Sequence, residues 1–350
     1  NYNLGDFGLI GIFVLIVFSY SSHFILSHNY LHNTVILIIG LFSFFYFVNK
    51  DYHKYDLLRL NILFLILFIS FLIFKTHDDF PYYHFPYIYY LTQNEFFIGV
   101  GNFNHGFRTP SSIFYLNSLY YLPFINHYFF QIGAILIMGF TVFIFLKNIE
   151  NSLKKNIYDQ NFFLSLLSFI FVLIFFYRIA EHGTDRSAQI LILLFIIELL
   201  FLINIKDLTK DNITKILILL GIIISLKAFY LLYFLFVFPV AYFLIKEKKV
   251  KKFFLIFKNY FFYIFILMII NIFLINFFNS GCLVYPVYFT CYDNFSWSIP
   301  ISEVLTMNDW YEQWAKAGAN PNFRVENPEQ YIQKFNWFSN WLNEYFFNKV

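Results

Sequence analysis

Apolar segments long enough to cross a bilayer recur along most of this chain, and that recurrence limits the fold before any motif is read. A hydrocarbon core of about 30 Å takes about 20 helical residues, and inside it every backbone group must bond within its own segment. The segments run from about Leu9 to Phe24, Thr34 to Val48, Leu57 to Phe74, Phe129 to Leu146, Phe162 to Ile179, Ala188 to Ile203, Ile216 to Leu226, Ala228 to Ile245 and Phe261 to Phe278. Ile216–Leu226 is short for a span and meets the next segment at Lys227, so that pair reads as a broken or re-entrant helix. Hydrophobic residues make up 59% of the chain and charged residues 13%, against about 25% charged in soluble domains. The fold class expected is all-α, a polytopic helical membrane protein with about nine spans. Residues 1–278 would form the transmembrane domain with a large loop at 75–127, and residues 279–350 a polar tail. The wealth of Phe, Tyr, Ile, Asn and Lys fits an AT-rich genome, so aromatic stripes are assigned to packing and lipid contact rather than to a cofactor.

Most of the 24 lysines and arginines fall on one set of loops. These are Lys50, Lys54 and Arg59; Lys147, Lys154 and Lys155; Lys206, Lys210 and Lys215; and Lys246, Lys248, Lys249, Lys251, Lys252 and Lys258. Basic residues in short loops stay cytoplasmic, which places the loop holding Asp78 and Asp79 on the outer face of a bacterial inner membrane. His23, His28, His32, His77, His84, His105, His127 and His182 then lie on the outer side, and only His53 on the inner. Cys282 and Cys291 share the outer tail, where an oxidising compartment permits a disulfide between them. The first span reads as a true span rather than a cleaved leader. A chain that starts at Asn1 without Met and ends at Val350 beside an apolar helix reads as a piece of a longer protein, cut before further spans.

The sharpest break in the apolar pattern is Thr76-His77-Asp78-Asp79-Phe80-Pro81-Tyr82-Tyr83-His84. Adjacent carboxylates at a membrane edge cannot both point into one helical site. One is expected to face a cavity, while the other caps the turn that Pro81 begins. A carboxylate there could take a proton from an acceptor hydroxyl or hold a divalent cation; it could equally be a solvated loop acid. A second outer loop carries Arg178, Glu181, His182, Gly183, Thr184, Asp185 and Arg186. Its charges either neutralise one another, or Asp185 or Glu181 complements Asp79 across a cleft while Arg178 or Arg186 grips an anion. Lys227 interrupts a long apolar stretch, which is costly unless it snorkels, pairs or binds something such as a lipid phosphate. In the tail, Phe335, Trp337, Phe338, Trp341, Tyr345 and Phe346 recur at helical spacing between Tyr331 and Phe347, as in a helix lying on the outer leaflet. The sequence holds no phosphate-binding loop, no HExxH, no paired CxxC and no basic surface for nucleic acid.

The pattern Asp78-Asp79-x-x-x-Tyr83-His84, Gly99-x-Gly101-Asn102, Gly106-Phe107 and Ser111-Ser112 resembles the first large outer loop of integral-membrane glycosyltransferases of the GT-C class, in a bacterial branch. Thr184-Asp185, Lys227 and Gly281-x-x-x-Tyr285-Pro286 with Trp297 fall where similar sequences carry an acid, a lysine and a Tyr-Pro motif. The match covers roughly Leu57 to the end, on short motifs. Better-known members carry the acidic loop after their first span, whereas here it follows the third apparent one. Either extra spans precede it or the equivalence is one of appearance.

The resemblance implies a GT-C-like fold in which Asp79 or Asp78 is the catalytic acid and Asp185 a second carboxylate near the donor. Lys227 would contact the donor phosphate, with Tyr83, His84, Asn102, Arg108, Arg186 and Tyr285 on the substrate side. The resemblance fixes no cofactor and leaves a divalent metal open; where one takes part, it would fall to Asp79 and Asp185. The expected partners are the lipid bilayer and a polyprenyl-phosphate-linked sugar, and not nucleic acid. Rival expectations are a flippase for lipid-linked glycans, which would want midplane charges and repeated halves, and a polysaccharide polymerase or ligase leaning on Arg108 and His105. A non-enzymatic membrane scaffold is the plainest alternative.

Overall fold

A computed structural model describes residues 2–51, 54–73, 75–205, 209–247, 254–320 and 323–347. Asn1, His53, Phe74, Lys206, Lys248, Lys249, Lys251, Lys252 and Val350 lie outside the described residues, as does the side chain of Lys50. The chain divides into two compact units. The first is Asn1–Phe97 with Thr109–Ile272, and the second Ile98–Arg108 with Phe273–Val350. Residues 98–108, which the sequence leaves inside the large loop of the first domain, therefore belong to the second unit.

Nearly all regular structure in the first unit is helical. In chain order it runs α1 (Leu4–His23), α2 (Tyr30–Asp51), α3 (Lys54–Ile73), α4 (Phe85–Gln93), α5 (Ser112–Ser118) and α6 (Ile132–Lys155). It continues with α7 (Gln160–Phe175), α8 (Asp185–Ile205), α9 (Lys210–Leu226) and α10 (Val237–Lys246). The long helix α11 (Tyr260–Ser280) follows and runs on into the second unit. Among the described residues six helical segments are long and apolar enough to cross a membrane: Leu4–His23, Lys54–Ile73, Ile132–Lys155, Asp185–Asn204, Ala228–Lys246 and Tyr260–Ser280. Tyr30–Tyr46 and Gln160–Phe175 are apolar but shorter. The protein is a helical membrane protein; the sequence leads one to expect about nine spans, and six segments among the described residues have the length and apolarity of a crossing helix.

One of the differences lies at Lys227. Helix α9 ends at Leu226, Lys227 takes an extended conformation (φ −160°, ψ 140°), and a tight 3₁₀ stretch, Ala228–Phe236, leads into α10. The expected break is there, but α9 begins at Lys210 and is longer than its apolar part.

Helix α1 packs on α5, α6 and α9, and α6 in turn on α3, α7 and α8. Asn3 and Asp6 form a reciprocal cap at the start of α1, which satisfies two backbone donors that a helix end leaves open. Phe13 and Ile16 are fully buried, and Gly221 of α9 lies where an added Cβ would stand 2.5 Å from the Phe13 ring. In lipid there is no apolar transfer gain between helices, so close approach of this kind supplies the association. Asp6 also pairs with Lys215 at 3.0 Å, and Lys215 reaches Glu198 of α8 at 3.5 Å. Lys215 is thus an interior ion-pair partner rather than the free loop cation its place in sequence implies. Outward faces of α2, α3 and α7 carry exposed Leu, Ile and Phe, among them Phe42, Leu65 and Ile174.

The stretch 75–127 is not an open loop. Helices α4 and α5 lie within it and pack on each other, and Tyr87, Leu91, Phe114 and Leu116 are buried.

The second unit is built around the Cys282–Cys291 disulfide. Cys282, Tyr285, Ile299 and Val304 form its small core. Helix α12 (Ile301–Ala315), a two-residue antiparallel ladder (Ala319–Asn320 with Phe323–Arg324), and the short helices α13 (Pro328–Ile332) and α14 (Phe338–Trp341) complete it. The single helix expected over Tyr331–Phe347 is broken. Gln333 is extended, and Lys334 stands at φ +50°, a left-handed conformation that costs an L-residue about 1–2 kcal/mol and ends a right-handed helix.

Candidate functional site

The expected site residues divide between the units. Asp78, Asp79, Tyr83, His84, Asp185, Arg186 and Lys227 belong to the first; Asn102, Arg108 and Tyr285 belong to the second.

In the first unit the segment after α3 turns back at His77, whose N–H donates to the Ala180 carbonyl at 3.1 Å. His77 Nδ1 accepts the Asp79 backbone N–H at 3.0 Å. That bond closes the turn, with Pro81 in the first turn of the widened helical segment Phe80–His84. Asp79 sits at the cap position yet makes no side-chain cap bond, which corrects the expectation that one of the two acids caps this helix. Instead its Oδ2 accepts the Tyr83 hydroxyl at 3.3 Å and lies 3.7 Å from His77 Nδ1. Asp78 points into solvent and pairs with Lys75 at 3.0 Å, and that ammonium holds its carboxyl below the usual carboxylate range. Of the two acids, Asp79 is the one embedded in structure.

His84 is buried at 4% exposure. Its Nε2 has no hydrogen-bond partner among the described residues. Burial first, then the His77 ring and the Lys227 charge, push its pKa down to about 3, so the imidazole is neutral across physiological pH. The His77 and His84 rings stack with centroids 5.6 Å apart. Both pack near Gly183, where an added Cβ would make ordinary contact at 3.4 Å with each ring. It is the positive φ of +52° that favours glycine here. A recess here is lined by His77, Phe80, His84, Phe114, Asn117 and Gly183, among others.

Lys227 and Asp185 meet beside this group. Lys227 Nζ lies 2.9 and 2.8 Å from the two Asp185 carboxylate oxygens, and both side chains are about half exposed. Asp185 opens α8, where the helix dipole favours a negative charge. The break that presents Lys227 is fixed by serines. Ser111 Oγ donates to the Leu226 carbonyl at 2.6 Å, and Ser225 Oγ donates to Ser112 Oγ at 2.8 Å. Ser111-Ser112, conspicuous in the sequence, therefore holds the end of α9.

In the flanking loop Glu181 stands between Arg178 and Arg186, 3.5 Å from each guanidinium. Mutual neutralisation is what the structure gives these charges. His182 is buried, donates from Nε2 to the Phe176 carbonyl at 2.7 Å, and has its pKa lowered to about 4 by burial.

In the second unit the same polar residue types are bound into framework. Asn102 donates to the Trp297 carbonyl at 2.7 Å. Buried Arg108 donates to Glu303 at 2.7 Å, to the Tyr285 hydroxyl at 3.3 Å and to the Gly101 carbonyl at 3.0 Å. Gly101 is required because a Cβ there would meet the Asn279 carbonyl oxygen at 2.5 Å.

A family model described as a domain of unknown function, DUF8201, matches residues 1–350. The chain belongs to the DUF8201 family. No curated protein and no solved structure matches it.

The residue missed by sequence reasoning in this DUF8201 member is His77. His77, Asp79 and His84 each place a ligating atom within 4.8 Å of the others. The signal was His-x-Asp followed by His five residues on. It fits no helical ligand spacing, because His77 precedes the helix and the Phe80–His84 turn is widened.

Proposed function

We propose that this protein is a GT-C-like membrane glycosyltransferase. It moves a sugar from a polyprenyl-phosphate carrier to an envelope glycan, lipid or protein on the outer face of the bacterial inner membrane. The observation that carries the proposal is the pairing of functions in one polar group of the first unit. Asp79 is a half-exposed carboxylate oriented by Tyr83, and Lys227 is a half-exposed cation presented at a helix break and felt electrostatically at His84. In the reaction the acceptor hydroxyl attacks the anomeric carbon, its proton passes to Asp79, and the bond from that carbon to the phosphate oxygen breaks. Lys227 meets the charge that grows on the leaving phosphate, with Asp185 as its positioning residue.

The positive-inside distribution supports the outer placement. The polymerase or ligase alternative loses support, since the Arg108 guanidinium it would use is engaged by Glu303 and Tyr285. The test is transfer of radiolabelled sugar from a panel of polyprenyl-phosphate donors by membranes carrying the wild type or Asp79→Asn. Transfer by the wild type and its loss in the variant, at equal protein level, is the expected result. Full activity of the variant sinks the proposal.

A further inference from the structure

We infer that His77, Asp79 and His84 form a binding site for one divalent transition-metal cation of the zinc type. Two imidazoles and a carboxylate are the donor set of zinc and its neighbours. Magnesium and calcium take oxygen ligands and would leave two of these three donors unused.

The geometry is close to what such an ion requires. Tetrahedral zinc with bonds of about 2.0–2.1 Å sets its ligands about 3.3 Å apart. His77 Nδ1 and Asp79 Oδ2 stand 3.7 Å apart, and no separation in the trio exceeds 4.8 Å. Closing any gap in the trio takes a shift of at most about 1.5 Å, within the reach of side-chain rotation for the two residues that are not buried.

Three independent features point to a ligand rather than to packed rings. First, His84 Nε2 is buried with no hydrogen-bond partner among the described residues, a cost a protein normally avoids. Second, the Asp79 N–H bonded to His77 Nδ1 fixes that ring with this nitrogen facing the Asp79 carboxylate, 3.7 Å away, and a cation bound there would take the lone pair over from the N–H. Third, an outer shell is in place. Tyr83 orients the Asp79 carboxylate, the Ala180 carbonyl anchors His77, and the positive-φ turn at Gly183 packs against both rings. Partners of this kind fix ligand orientation in metal sites. With His77 and Asp79 half exposed, the fourth position opens outward, where an oxygen of a phosphate or an acceptor hydroxyl could bind.

This deepens the transferase proposal at the same residues: with the ion bound, Asp79 would serve as its ligand, and the ion rather than the free carboxylate would acidify the acceptor hydroxyl; the site itself is tested by binding. Purified, polyhistidine-free protein in detergent is stripped with chelator, dialysed against Zn²⁺ with excess Mg²⁺ present as the oxygen-seeking competitor, and assayed for bound metal. Co²⁺ serves as the optical probe. We expect about one equivalent of Zn²⁺, a Co²⁺ spectrum of low-symmetry nitrogen–oxygen coordination, and binding weakened about 100-fold in His77→Ala. His77→Ala is chosen because its side chain is part-exposed, and Asp79→Asn gives the second test should it misfold. Less than a fifth of an equivalent in the wild type, or binding unchanged in the two variants, overturns the site. Metal bound without sugar transfer keeps the site and removes the transferase reading. Undiminished transfer by protein that binds no metal does the reverse.

Discussion

The expected site residues of the two units are bonded in opposite ways. In the second, Asn102, Arg108, Tyr285 and Glu303 spend their hydrogen bonds on one another and on backbone, and Arg108 is buried. In the first, Asp79 and Lys227 stay half exposed, and the Nε2 of His84 is buried with nothing bonded to it among the described residues. A polar residue that is fully bonded is part of the scaffold, and one with unused capacity beside a recess is available for chemistry. Motif strength in the sequence does not separate the two cases; the bonding does.

The comparison is broken most directly at Asp79. Asp79→Asn should lower sugar transfer by about 10²-fold or more, the usual size of a general-base contribution, while detergent melting changes by no more than about 0.5 kcal/mol, as for an exposed position. A variant that melts early and transfers normally would assign Asp79 to the scaffold. Arg108→Ala should do the converse. Removing it leaves Glu303 unpaired and the Tyr285 hydroxyl without its donor, at a cost of about 3 kcal/mol. That is the low end for a broken buried pair, because Glu303 remains half exposed. Limited proteolysis should then cut within 273–347 while the helical unit stays intact, and equal cleavage in wild type and variant would remove Arg108 from the framework.

Acid should sharpen the contrast next. His182, with its folded pKa at about 4, binds its proton more weakly in the folded protein than in the unfolded chain, where it titrates near 6.5. Its contribution is therefore complete above about pH 6.5 and is lost as pH falls through 4, with about 2–3 kcal/mol at stake. His182→Gln keeps a donor for the Phe176 carbonyl and removes the titration. Melting measured from pH 7 to 4 should fall less steeply in the variant, and identical slopes would show that His182 is not buried as a neutral ring.

Helical class, membrane character and the break at Lys227 were legible in the sequence because burial in lipid forces apolar runs and makes a lone lysine conspicuous. The number of spans was less legible. Hydropathy does not distinguish a crossing helix from a shorter apolar one such as Gln160–Phe175. The paired cysteines pointed to their disulfide, and Asp79 and Lys227 stood out as charges where charge is costly. The roles of Arg108 and Asn102 were not visible, since their partners Glu303 and Trp297 lie nearly two hundred residues away. Ser111-Ser112 looked like site chemistry and turned out to hold the end of α9, through contacts also remote in sequence, 115 and 113 residues apart. His77 was hidden for a different reason, because only the widened turn from Phe80 brings it to His84.

The smallest effect tests that turn. Tyr83→Phe removes the hydroxyl that Asp79 Oδ2 accepts at 3.3 Å and leaves the ring contacts with His84 and Phe114 in place. A long, part-exposed hydrogen bond contributes about 0.5–1 kcal/mol, so melting should move by only that much. The carboxylate, however, would lose its orienting partner, and outer-shell losses weaken metal sites by about 10-fold or more. If Tyr83→Phe weakens Zn²⁺ binding by that factor with little change in melting, Asp79 is held for a ligand. If melting falls while metal binding holds, the hydroxyl serves the turn, and the first unit has spent its hydrogen bonds as the second has.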